Sequence, residues 1–164
     1  MSPRPTADRA MRVALATLAA ACGAGVRQPI AYSHRVHVKQ LELACETCHA
    51  TAKTGEVATL PGLSVCADCH QQANGNSPEE RKVVAAVSAG AELRWVRLYD
   101  IPRHVYFTHR RHVTVAGIAC ERCHGDMGAQ AASPPAALVA LGMADCLACH
   151  RERGASQDCD ACHR

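Results

Sequence analysis

Aromatic residues are scarce: the 164-residue chain has one Phe, one Trp and three Tyr. Aromatics supply much of the buried area in a domain this long. Without them the chain lacks the usual material for a filled core. Alanine, glycine and short valine runs take their place. Long blocks of one charge are missing too. Lys, Arg, Asp and Glu are interspersed, and the formal net charge is +3. With no basic block and few rings to stack bases, the sequence argues against nucleic-acid binding. What is abundant is cysteine. Eleven of them point to a disulfide, metal or cofactor framework.

The N-terminus has the layout of an export signal. Arg4, Arg9 and Arg12 form a basic start, and VALATLAAA, Val13 to Ala21, is a short apolar run. Cys22 follows three alanines. That resembles a bacterial lipobox, in which the cysteine is lipidated and becomes the first mature residue, although Leu18 sits one place further out than usual. An ordinary signal peptide cleaved near Ala21, or an uncleaved anchor, are the alternatives. The run is shorter than the ~20 residues that span a bilayer comfortably. The expectation is a lipoprotein-type signal over 1–21, a tether over 22–29, and a mature chain on the periplasmic side of a bacterial membrane.

Setting Cys22 aside, every cysteine falls in a Cys-x-x-Cys-His. The five are Cys45-Cys48-His49, Cys66-Cys69-His70, Cys120-Cys123-His124, Cys146-Cys149-His150 and Cys159-Cys162-His163. Two thiols at this spacing add across the two vinyl groups of haem, and the adjacent histidine reaches the iron. A four-cysteine zinc site needs such motifs in pairs, and five is odd. Disulfides suit an exported protein but give no reason for the histidines. The expected cofactors are five covalently bound c-type haems.

The motifs sit on a repeat. YSHRVHVKQLELACETCH, Tyr32–His49, recurs as FTHRRHVTVAGIACERCH, Phe107–His124, so that His34 and His37 map onto His109 and His112 at one constant offset. Each unit continues to a second attachment motif, and the Cys159 motif is an extra one at the C-terminus. We expect a first dihaem unit over 30–76, a linker over 77–101, and a second unit with two haems plus the fifth over 102–164. Within the linker, Ser77 as N-cap, Pro78 at the first position, Glu80 as capping-box partner and Gly90 as stop predict a helix over about 78–89. A short helix is expected over Ala136–Leu141. Elsewhere we expect loops and short helices carrying the motifs, with little or no β-sheet.

Each haem iron has two axial positions. The motif histidines His49, His70, His124, His150 and His163 fill one each. A strong protein ligand at the other favours electron transfer, whereas an open position permits substrate chemistry. Five further histidines exist: His34, His37, His104, His109 and His112. A pair spaced by three lies on roughly one helical face a turn apart, so each repeat supplies distal ligands for two haems. The fifth distal ligand stays open between Met143, His104 and none.

His-x-x-His, seven residues, then CETCH resembles the multihaem cytochromes of the c3/c7 class, and WVRLYDIPRHVYFTHRRHVTVAGIACERCHGDM, with LGMADCLACHR and CDACHR after it, is the more specific string. It resembles most of all the pentahaem subunit of alternative complex III and the multihaem subunit of menaquinone reductase complexes. The resemblance runs from about Ile30 to Arg164. It implies a mostly irregular, haem-organised fold of duplicated c7-like units, and Met143 rather than His104 as the fifth distal ligand. It further implies electron carriage between a membrane quinol-oxidising or quinone-reducing module and redox partners such as iron–sulfur or molybdopterin-like subunits and other cytochromes. Family members commonly carry a transmembrane anchor, where this chain has Cys22. The reading is an electron-transfer protein without catalytic residues. The rival is a multihaem reductase of a small nitrogen or sulfur species with one open haem; a third is a purely structural subunit.

Overall fold

The computed structural model describes residues 25–164. The export signal and the lipidation candidate Cys22 lie outside the described residues. The chain forms π1 (Arg35–Gln40), α1 (Cys45–Cys48), α2 (Leu63–Ala67), α3 (Pro78–Ala89), π2 (Arg110–Val115), α4 (Glu121–His124), α5 (Met143–Glu152) and α6 (Cys159–Cys162), with a 3-10 turn at Met127–Ala129. Irregular chain joins them. Among the described residues the β pairing is a single isolated bridge, Val105 with His163. No helix there is long and apolar enough to cross a membrane.

The poverty in aromatics shows directly in the packing. Among the described residues, Ile30 and Val83 are the buried hydrophobic side chains. A polypeptide of this length ordinarily encloses far more. Hydrogen bonds over long sequence separations hold the irregular segments instead. Trp95 Nε1 donates to the Pro61 carbonyl at 2.8 Å, and Gln28 exchanges two hydrogen bonds with the Val96 backbone.

The His-x-x-His segments are π-helices rather than α-helices, closed by Leu41 N to Val36 O (3.0 Å) and Ala116 N to Arg111 O (2.9 Å). Ser33 and Thr108 start them, their hydroxyls accepting from the Val36 and Arg111 amides. A π-turn takes more residues per revolution. A step of three therefore falls further short of a full turn than in an α-helix. The two imidazoles diverge around the axis instead of stacking on one face, which differs from the α-helical expectation.

Helix α3 begins as its sequence signals suggest. Ser77 Oγ accepts from Glu79 N at 3.2 Å, and Gly90 ends the helix at φ 60°, where a Cβ would be strained. The capping box does not form. The Glu80 carboxylate turns away from the helix start and accepts from Asn74 N at 2.7 Å. Residues 136–141 form bends, not the expected helix. Two prolines precede them, Leu138 and Val139 close over Gly125, and Val139 N donates to the Tyr99 hydroxyl at 3.3 Å. These contacts displace the local helix preference.

The two halves dock on each other reciprocally. Arg35 N donates to Gln130 O at 2.9 Å, and Arg110 N donates to Gly55 O at 3.0 Å. The sequence repeat that carries His34 onto His109 also carries Arg35 onto Arg110 and Gly55 onto Gln130. Thr114 Oγ1 reaches the Lys53 carbonyl at 2.5 Å; its equivalent, Lys39, lies over Gly128 and pairs with Asp126 at 3.8 Å. Each π-helix thus seats on the loop after the other half's first attachment motif, an arrangement that approximates a twofold axis.

Candidate functional site

In each repeat one aromatic ring wedges against both of the paired histidines. Tyr32 meets His34 edge-on at 4.9 Å and stacks on His37 at 4.5 Å. Phe107 meets His109 edge-on at 5.0 Å and stacks on His112 at 4.6 Å. The second histidine is also tied to its own turn, His37 Nδ1 to Ser33 O and His112 Nδ1 to Thr108 O, each at 2.9 Å. A hydrogen bond at Nδ1 leaves Nε2 free to ligate a metal. The aromatic and the small polar residue recur in the repeat, Tyr32-Ser33 and Phe107-Thr108, but the sequence alone assigns them no role. Their recurrence at fixed spacing before both His-x-x-His segments was the available signal.

The repeat histidines lie across from motif histidines on other elements. His37 and His70 have ring centres 6.2 Å apart, and so do His112 and His150. The His109 and His124 rings are parallel within 2° at 6.3 Å. His34 lies beside His49. Burial first, then the neighbouring His49 and His37, push its pKa down to about 4, so its ring is neutral near pH 7, the form that binds metals. Burial, then His109 and His49, also lower that of His124.

The fifth pair lies outside the repeat. Tyr106 N donates to Cys162 O at 2.7 Å and Arg164 N donates to His104 O at 3.0 Å, so residues 104–106 run antiparallel to the C-terminus. That pairing sets the His104 and His163 rings 5.6 Å apart and within 18° of parallel. Arg164 covers Tyr106 at 4.8 Å. Met143, the first residue of α5, is 62% exposed.

Do these residues fit haem? Two metal–imidazole bonds of about 2 Å each, plus roughly 1 Å from nitrogen to ring centre on either side, put two axial imidazole centres about 6 Å apart. The four measured distances cluster there. Among the described residues no three His, Cys, Asp or Glu side chains gather into a metal cage, which is what a zinc site requires. The described cysteines are all free of disulfides.

The thiols trace how the attachment sites follow one another. Burial, then the neighbouring Cys48, raise the pKa of Cys66. Burial, then Cys45, which also hydrogen-bonds to it, raise that of Cys120. Burial, then Cys149, raise that of Cys123. Burial, then Asp145 and more weakly Cys162, raise that of Cys146. The motif cysteines of α2 and α1, of α1 and α4, of α4 and α5, and of α5 and α6 are therefore neighbours. The two first motifs of the halves meet in the middle, where the reciprocal docking lies.

Residues 105–164 match the family described as cytochrome c7 and related cytochrome c. Residues 11–94 match the class III cytochrome c family. The chain is 39% identical over 98 residues to the menaquinone reductase, multihaem cytochrome c subunit, of Nitratidesulfovibrio vulgaris, covering 59% of this chain and 45% of that relative. The chain thus spans less than half the length of the curated relative it matches.

Proposed function

This chain belongs to the class III cytochrome c family, multihaem cytochromes with covalently bound haem that transfer electrons, and from that premise we propose that it is a pentahaem electron carrier of a respiratory chain. The observation that carries this reading is that four motif histidines face a second histidine, His70 with His37, His124 with His109, His150 with His112 and His163 with His104, while His34 neighbours the fifth, His49. Cysteine pairs 45/48, 66/69, 120/123, 146/149 and 159/162 would hold the haems. Haem bound in this way supplies a one-electron iron couple. The protein's part would be to give each iron two histidines, so that none is open to a substrate, and to fix His37, His49, His109, His112 and His150 through carbonyls at Nδ1. On this reading His104 rather than Met143 is the fifth distal ligand.

The two c7-like units are residues 30–76 and 102–164, bridged by the α3 linker. The site of action is the periplasmic face of a bacterial membrane, with Cys22 as a lipid anchor. The similarity to a menaquinone reductase subunit supports a membrane quinone module as one partner; an iron–sulfur or molybdopterin-like subunit is our proposal for the other. Electron paramagnetic resonance on the purified holoprotein, with a mass-based haem count, tests the reading. Five haems per chain, all low-spin bis-histidine, are expected. A high-spin resting signal overturns it in favour of an enzyme with an open haem.

A further inference from the structure

The motif histidines differ in what stands behind them. His49 Nδ1 faces the Thr59 carbonyl at 2.8 Å and His150 Nδ1 faces the Ser156 carbonyl at 2.6 Å. These are neutral acceptors. Nδ1 of His70 is shielded from solvent and has no aligned hydrogen-bond acceptor. Its near neighbour is a carboxylate, Glu80 Oε1 at 3.2 Å, with that side chain only 12% exposed. Glu80 sits at the third position of α3, where the sequence suggests a capping role. It is instead held away from the helix start by the Asn74 and Gly75 amides, and a Cβ on Gly75 would crowd its other oxygen at 3.3 Å. Helix α3 packs along α2, so the carboxylate is carried to the histidine by two packed elements.

We propose that Glu80 is a potential-setting residue for the haem attached at Cys66 and Cys69, lowering its reduction potential below those of the other four. This rests on the reading of His70 as an axial ligand. The physical reason is charge. A carboxylate behind an axial imidazole draws on its Nδ1 proton and makes the ring a stronger electron donor to iron. The oxidised, more positive iron is then favoured. Proximity of the charge suffices even where the hydrogen bond is not in line, because the interaction is little screened in a shielded site. The α2 site is also one end of the row of attachment sites, and the second half has no counterpart: the equivalent position behind His150 is a backbone carbonyl. Glu80 therefore makes the α2 site the low-potential end of the row.

The test is a redox titration of holoprotein, wild type against Glu80→Gln, followed by optical and electron paramagnetic resonance spectra. Gln keeps the acceptor for the Asn74 amide and removes the charge. The most negative of the five midpoints is expected to rise, the reduced-to-oxidised ratio of that haem changing on the order of tenfold at fixed potential, or about 59 mV for one electron. The other four should hold. Glu80→Asp, which draws the charge back by one methylene, should give a smaller rise of the same component. Glu79→Gln, one residue away and paired with Lys82, should leave all five in place. Unchanged midpoints in Glu80→Gln, or an equal shift of all five, overturn the inference. Peptide mass spectrometry separates the two levels: a Cys66–Cys69 peptide without haem sinks the ligand reading itself, whereas a haem-bearing peptide with an unmoved midpoint sinks only the role of Glu80.

Discussion

The first half of the molecule and the second are built to one plan, and they part company at their outer ends. From Tyr32 to His70 and from Phe107 to His150 the same wedge, the same π-turn and the same crossed pairing recur. The ring distances match: 4.5 Å for Tyr32–His37 against 4.6 Å for Phe107–His112, and 6.2 Å for both His37–His70 and His112–His150. Beyond that point the first half continues into α3, which caps its end with peptide and a carboxylate. The second half continues into a fifth Cys-x-x-Cys-His motif on α6, whose His163 faces His104. The inner, shared architecture is what duplication had to preserve, since each half seats on the other. The outer ends were free to diverge, and they are where partners would meet the row.

The comparison breaks most completely if the haems are withheld. With Ile30 and Val83 as the buried hydrophobics of the described chain, neither half can offset its conformational entropy alone. Chain produced without haem attachment should show little helical circular dichroism and no cooperative melting transition. A compact haem-free chain that melts sharply would mean that the peptide, not its cofactor, specifies the fold.

The next largest effect separates the ends. His104→Ala should convert one of the five haems to high-spin in the paramagnetic resonance spectrum, while Met143→Ala leaves the low-spin count unchanged. The reverse outcome would restore Met143 as ligand and remove the contrast drawn between the repeat and its C-terminal extension.

The recurrence of Tyr32–His49 as Phe107–His124, the five motifs and the four duplicated histidines are legible in the sequence because they are patterns along the chain. The partner of His163 is not such a pattern. It depends on the antiparallel pairing of residues 104–106 with 162–164, which no periodicity announces. The same limit applies to Glu80. Its position three residues after Ser77 signals a capping box, and only the packing of α3 on α2 shows the carboxylate turning to His70 instead. The π-turn is hidden for a related reason: nothing in RVHVKQ or RRHVTV distinguishes it from an α-turn, and the aromatic wedge and docking loop select it. Signals confined to one element are readable; choices made between elements are not.

A smaller effect probes the shared plan. Phe107→Ala removes the ring that holds His109 and His112, and with it ring-on-ring contacts of about 1 kcal/mol beyond lost area. Thermal denaturation of the holoprotein should show this as a lowered midpoint, with broadened His109- and His112-linked low-spin signals. An unchanged midpoint would mean that iron ligation alone orients the two imidazoles.

The smallest effect is the most discriminating for the duplication. Tyr32→Phe makes the first half's wedge identical to the second's. The hydroxyl is half-buried beside Cys48, and burial, then Cys48, raise its pKa well above the ordinary tyrosine value, so it stays neutral and takes part in no ionic contact at neutral pH. The ring supplies the stacking on His37 at 4.5 Å, and Phe107 already performs that task at 4.6 Å without a hydroxyl. The substitution should therefore change stability by no more than about 0.5 kcal/mol and leave every midpoint potential in place. A larger loss would show that the two wedges are not equivalent, and that the first half depends on the Tyr32–Cys48 contact in a way the second half does not.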